Sequence, residues 1–285
     1  MGIQGHVFTL GDGLGDRWLS AQPPHGQVEV LRLAPALAAR EAAIRTRVSH
    51  LSAQESGSLA TVREVERQDA DLRVVADVAP GTRLSDLLLH LELTGEALSH
   101  AGVLGLAGSV LRALAALHQR GAGFAHGAVT PAHVVLTANG TVLLTDGVFG
   151  SALESLGWNR EQLWRQFSLA LPASANLPRF DQRADVTQAA AVVLAIALRR
   201  PLTPDEYPRA TVDLVTRATS DPAVPGASAL RMWLLQALQL HPRAMFTSAV
   251  DAERAFGDVI AASGARFAGA RALGQLLQPL RLLIA

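Results

Sequence analysis

The side chains best able to do chemistry fall in two places. His126 and His133 bracket the loop His126-Gly127-Ala128-Val129-Thr130-Pro131-Ala132-His133, and Asp146 ends the apolar run beyond it. A carboxylate and an imidazole brought together there could hold a divalent ion, although histidine suits transition metals and suits magnesium poorly. Near the other end, Gly11-Asp12-Gly13-Leu14-Gly15-Asp16 carries the glycines that a backbone phosphate cradle needs. Asp12 and Asp16 put negative charge where phosphate would sit. The groups available to a nucleotide are thus Gly11, Gly13 and Asp146, and those available to a metal are Asp146 and His133. Neither a cofactor nor a metal is expected, since a ligand-free turn and a backbone-bonded histidine account more simply for these residues.

The elements that must position these groups can be read around them. Val103 to His118 is an apolar helical run that ends before Gly121 and Gly123. Two extended runs, Val134 to Thr137 and Thr141 to Thr145, are joined by Ala138-Asn139-Gly140, a hairpin signal. On the N-terminal side, His6 to Leu10 and Trp18 to Ala21 read as strands flanking the glycine-rich turn, Gln27 to Leu33 alternates like a third strand, and Pro35 opens a helix. Leu59 to Glu66 and Asp71 to Val78 complete a sheet of five. Asn159 is placed to cap a helix carrying Leu163, Trp164 and Phe167 at helical spacing. Asp185 opens an apolar helix, where a carboxylate suits the positive helix end. Further helices are read at 209–219, 228–240 and 247–262.

The segment from Leu114 to Gly150 resembles the catalytic segment of the protein-kinase family, and Arg183-Ala184-Asp185-Val186 resembles the start of that family's central large-lobe helix. The resemblance implies an α+β bilobal kinase-like fold. Residues 1–79 would form a small lobe of five strands and one helix, 80–262 a helical large lobe, and 263–285 a helical extension. Matched residue by residue, His126 falls on the family's loop His and Asp146 on its metal-binding Asp. The base Asp falls on Ala128, the phosphate-contacting Lys on Thr130, the metal-binding Asn on His133 and the ATP-gripping Lys on Leu31. The Val that covers adenine falls on Trp18, and the helix Glu on Glu41, a solvated carboxylate near Arg40 and Arg45. His126 and Asp185 are implied to be structural anchors of the loop. Ala173 and Met245 stand where the family has a buried salt bridge. The 159–167 helix either packs across the cleft or simply connects within the large lobe.

Phosphoryl transfer needs a carboxylate to orient the nucleophile and cations to neutralise phosphate oxygens. With alanine at the base position, the expectation is a bacterial Ser/Thr-kinase-like pseudokinase: no enzyme, but a scaffold or allosteric regulator. The alternatives are a residual nucleotide sensor or an atypical transferase; the loop also resembles that of aminoglycoside-type phosphotransferases, which need an Asp where Ala128 stands. The implied partner is a protein, either an active kinase or a fused or associated domain.

Composition narrows the rest. Net charge is zero, with 25 basic against 25 acidic residues, so nucleic acid has no electrostatic hold. Every basic residue is arginine, so a lysine grip on ATP has no candidate at any position, and arginine is not its equivalent. Cysteine is absent, removing thiolate metal sites. No signal-peptide layout and no apolar run of ~20 residues is read, so the expected location is cytoplasmic, without a membrane span. Leu273, Leu276, Leu277, Leu280 and Ile284 share a helical face that would fold back on the large lobe, join a second copy, or lie on a partner or membrane surface; the chain is expected to be a piece of a longer protein.

Overall fold

The computed structural model describes residues 12–22, 26–52, 57–173, 177–240 and 245–265. Alternating residues from Gly15 to Asp77 build a four-stranded antiparallel sheet of β1 (Gly15–Gln22), β2 (Gly26–Leu33), β3 (Val62–Gln68) and β4 (Asp71–Asp77) in the order β1-β2-β4-β3. The fifth strand expected over His6 to Leu10 lies outside the described residues. Arg17 is opposite Leu31 and Leu19 opposite Glu29, so these four share one face. Trp18 is opposite Val30, and with Val28 and Val75 it forms a small apolar cluster on the other face.

The single helix expected after Pro35 is two pieces, α1 (Pro35–Ala38) and α2 (Glu41–Ser52). Leu37 and Ile44 anchor them against Leu31, Leu33, Leu72 and Val74 of the sheet. Beyond β4 the chain enters a second three-stranded sheet, β5 (Thr82–Arg83), β6 (Val134–Leu136) and β7 (Val142–Leu144) in the order β5-β6-β7. The lobes are also joined through backbone: Ala60 N–H donates to the Leu144 carbonyl at 2.8 Å, and Leu144 N–H to that of Ser58 at 2.8 Å.

The large lobe is helical: α3 (Leu84–Thr94), α4 (His100–His118), α5 (Gly150–Glu154), α6 (Arg160–Phe167), α7 (Gln182–Leu198), α8 (Thr211–Ala218), α9 (Ala227–Ala237) and α10 (Ala249–Ser263). By length and hydropathy α4 matches a membrane span, yet 67% of it is buried against neighbouring elements, which identifies it as the lobe's core helix. Val110, Leu111 and Leu114 pack there with Val193 of α7 and Phe256 of α10. Of the expected 263–285 extension, residues 266–285 lie outside the described residues.

Candidate functional site

The loop between α4 and β6 is shaped by one buried carboxylate. Asp185, fully buried near the start of α7, accepts the backbone N–H of His126 and that of Gly127, the latter at 2.6 Å. It also faces Nε2 of His118 at 2.9 Å, while Nδ1 of that ring accepts the Ala249 N–H at 2.9 Å. His118 is therefore the neutral Nε2–H tautomer, and this one imidazole joins α4, α7 and α10. Gln188, one turn further along α7, accepts the Val129 N–H at 2.7 Å. His126 lies inside the loop it begins: Nδ1 accepts the Ala128 N–H at 3.2 Å, and burial pushes the ring pKa down to about 4. Its Nε2 has no partner. Gly147 sits against this ring, where an added Cβ would stand 3.1 Å away.

Asp146 follows β7 with φ of 65°, a left-handed conformation that aspartate tolerates better than most residues. Its side chain enters a buried ion network between the lobes. Arg17 of β1, 7% exposed, donates from Nε and Nη2 to Asp12 at 3.1 and 2.8 Å, and from Nη1 to Glu29 at 2.7 Å. Its Nη2 is also 3.0 Å from Asp146. Arg83 of β5 holds both oxygens of Glu29, at 2.8 and 2.7 Å, and donates to the Ala132 carbonyl at 2.6 Å. His133 Nδ1 meets the Ala128 carbonyl at 2.6 Å, and its Nε2 lies 3.3 Å from Asp12 and 3.9 Å from Asp146. Both ring nitrogens face oxygen atoms, and the contact of Nδ1 with the Ala128 carbonyl is the shorter of the two. Asp12, Glu29 and Asp146 thus face the guanidinium groups of Arg17 and Arg83, with the His133 ring beside them. Burial acts to raise the carboxyl of Asp146, but Arg17, His133 and Arg83 outweigh it and hold the pKa at about 2. The same opposition of burial and Arg17 leaves Asp12 well below the usual range.

Several residues stand elsewhere than the sequence implies. The side chain over the cleft is Arg17, not Trp18; a one-residue step along a strand reverses the face, and Trp18 lies on the outer side under the Arg73 guanidinium. Leu31 is core, packed with Leu33 and Ile44. Glu41 is the surface carboxylate the sequence implied, paired with Arg45 at 2.8 Å and also with Arg67 at 2.5 Å. The side chain of α2 that reaches the loop is Arg47, which donates to the carbonyls of Gly123 at 3.0 Å, Ala125, and Gly147 at 3.4 Å. Ala173 is exposed and Met245 is 40% exposed, so no buried salt-bridge site has become apolar there. Ala128 is fully buried, and Thr130 is 2% exposed with its hydroxyl unpartnered. His133 and Asp146 do meet, but across Arg17-bound carboxylates, and among the described residues no group of three His, Asp or Glu side chains is arranged to hold a metal. Gly11 lies outside the described residues.

Gly13 touches another part of the chain. A Cβ there would come within 1.9 Å of the Gln166 carbonyl oxygen at the end of α6, and its φ is 76°. Asp12 Oδ1 accepts the Leu14 N–H at 2.9 Å and fixes the turn. Leu14 then packs fully buried with Leu163 and Phe167. Of the two positions expected for α6, the structure has the one across the cleft. Its start is closed by a capping box between Asn159 and Gln162.

A small β-rich lobe on a helical one, joined by β4 and β5 and holding Asp146 at the cleft, is a known arrangement. The chain has a protein-kinase-like fold. The Mycobacterium tuberculosis PknI kinase domain superposes over 90% of this chain and 96% of its own with a TM-score of 0.57 at 22% identity. Another structure of that domain matches at 25% identity with a TM-score of 0.56, over 90% of this chain and 96% of its own. The maize SIRK1 kinase domain bound to AMP-PNP covers 92% of this chain and 94% of its own, with a TM-score of 0.66 at 17% identity. No protein-family profile matches the chain. No curated protein matches it either.

These matches correct the expectation that the chain is no enzyme. The domains that share its fold are protein-kinase domains, which are enzymes. The physical reason the expectation fails is that it counted family positions rather than the groups present in the cleft. The sequence offered no cationic grip, yet Arg17 and Arg83 are both buried there, and Asp12 and Glu29 add carboxylates beside Asp146. Substitution at Ala128, Thr130, His133 and Leu31 is therefore not a demonstration of lost activity.

Proposed function

We propose that this kinase-fold chain is a regulatory module that binds a protein partner through a fixed, closed arrangement of its two lobes. The observation that carries the reading is the position of Arg17. Its guanidinium lies between carboxylates of the glycine-rich turn, β2 and the Asp146 turn, so the charge that would otherwise draw the lobes onto a metal is satisfied from within. Leu14 against Phe167 closes the same cleft with apolar contact. A shape held in this way is suited to recognition by a protein such as an active kinase or an associated domain.

The absence of cysteine gives a clean test. Paired spin labels at Gln68→Cys and Met232→Cys report the distance between lobes. A single narrow distribution, unchanged by MgATP and broadened by Arg17→Ala, supports the regulatory reading; a wild-type distribution that shifts with MgATP contradicts it. A second reading rests on Arg17, Arg83 and Asp146 themselves, which could grip phosphate and metal if nucleotide displaced their mutual pairing. Phosphoryl transfer from MgATP that Asp146→Asn abolishes would establish that transferase reading instead.

A further inference from the structure

Outside the ion network, Arg47 of α2 is a half-buried cation that pairs with no carboxylate among the described residues. It donates instead to three backbone carbonyls, from Nε to Gly147 at 3.4 Å, from Nη1 to Gly123 at 3.0 Å and from Nη2 to Ala125. Arg17, Arg83 and Arg200, by contrast, each meet a carboxylate. The carboxylate that favours the Arg47 charge is Asp185, which already serves His118 and the N–H groups of His126 and Gly127. Burial acts against the charge. Taking a charge out of water is costly unless it is paired, and carbonyl dipoles carry no opposite charge to pair it.

The Arg47 side chain borders an open cavity of about 460 Å³, lined also by His50, Gly123 and Ser151 and by no acidic side chain. Gly123, which accepts from Nη1, is itself exposed on this cavity, so that edge of the guanidinium faces it. Three of the five guanidinium N–H groups are used, which leaves one on each terminal nitrogen. His50 adds an exposed imidazole, its ring 4.7 Å from that of Phe124 between centroids. Ser151 adds an exposed hydroxyl from α5. Donors spread over two elements suit a tetrahedral oxyanion with three terminal oxygens better than a planar carboxylate with two. We propose that this cavity binds a phosphate monoester, held by the unused N–H groups of Arg47, a ring N–H of His50 and the hydroxyl of Ser151. The site shares no side chain with the ion network and stands independently of the regulatory reading.

The test titrates methyl phosphate and acetate, each to about 20 mM at constant ionic strength, into the full chain and follows heteronuclear NMR, a range suited to millimolar ligands. Methyl phosphate is expected to saturate, moving the Arg47 Nε–H and Gly123 amide signals. Acetate, with one oxygen and about one charge fewer, is expected to bind about tenfold more weakly. An Ala-phosphoserine-Ala peptide separates the two sources of such a group: binding tighter than methyl phosphate assigns it to a protein, and equal binding to a small molecule. His50→Phe keeps a ring on Phe124 but removes the N–H, and should weaken methyl phosphate about fivefold. Ser151→Glu offers Arg47 a carboxylate within the chain and should abolish saturable binding. Absence of saturable shifts at Arg47, acetate binding as well as methyl phosphate to the unaltered chain, or undiminished methyl phosphate binding by Ser151→Glu would each overturn the assignment. The acetate comparison needs no variant, so the outcome does not depend on either substitution folding.

Discussion

Replacing Arg17 by methionine keeps much of its volume and removes its charge, leaving Asp12, Glu29 and Asp146 buried with less compensation. Breaking a buried pair from one side typically costs about 3–5 kcal/mol, and the urea midpoint of Arg17→Met should fall accordingly. Arg17→Lys should recover only part of this, since an ammonium cannot present a planar fork to three carboxylates; a loss under about 1 kcal/mol for methionine would show the network to be slack. Acid tests the same residues. Asp146, at about 2, contributes stability that is complete above the unfolded value of 3.8 and is lost as pH falls toward 2. His126 has the same sign by another route: it binds a proton near 6.5 when unfolded and only at about 4 when folded, so stability declines from pH 6.5 to 4. His126→Asn should flatten that limb by about one proton in the slope of unfolding free energy against pH. In the sequence, Asp146 and His126 could be found from their neighbours. Arg17 could not: taking Trp18 as the cleft residue displaced the register by one, and on a strand that reverses every side chain.

Among the elements, α6 adds an apolar closure to the ion network and the backbone bonds that already join the lobes. Phe167→Ala should cost about 3–5 kcal/mol and should specifically remove hydrogen-exchange protection from residues 160–167 before the rest of the large lobe. Asn159→Ala, which loses only the capping box, should cost about 1 kcal/mol without undocking the helix. Uniform loss of protection in Phe167→Ala would mean that α6 is not a separable closure. The helix and its cap were legible because Asn159 and the spacing of Leu163, Trp164 and Phe167 are local signals. Its docking partner was not, because periodicity shows which face of a helix is apolar but not what covers it. The close approach of Gly13 to the Gln166 carbonyl carried that information, and a glycine in sequence does not announce its neighbour. Arg47 was missed similarly: of the two arginines on α2, Arg45 and Arg47, it is selected only by the carbonyls of the loop it meets.

At the scale of the whole molecule, the bilobal fold could be read because its strongest markers are architectural. The apolar α4, the Asn-Gly hairpin, and Asp185 at the head of α7 belong to the frame and recur in order along the chain. The contents of the cleft are set by residues far apart in sequence, Asp12, Arg17, Glu29, Arg83, His133 and Asp146, and no local pattern groups them. The account therefore turns on whether Arg17 is the cation that holds the lobes together. Thermal unfolding of the wild-type chain and of Arg17→Ala, each with and without about 10 mM Mg²⁺, measures this directly. Removing Arg17 leaves three carboxylates around the vacated volume, and Mg²⁺ should raise the Tm of Arg17→Ala by roughly 2–4 °C for each kcal/mol it restores while leaving the wild type unchanged. Equal shifts in the two proteins, or a shift in the wild type alone, would contradict the claim.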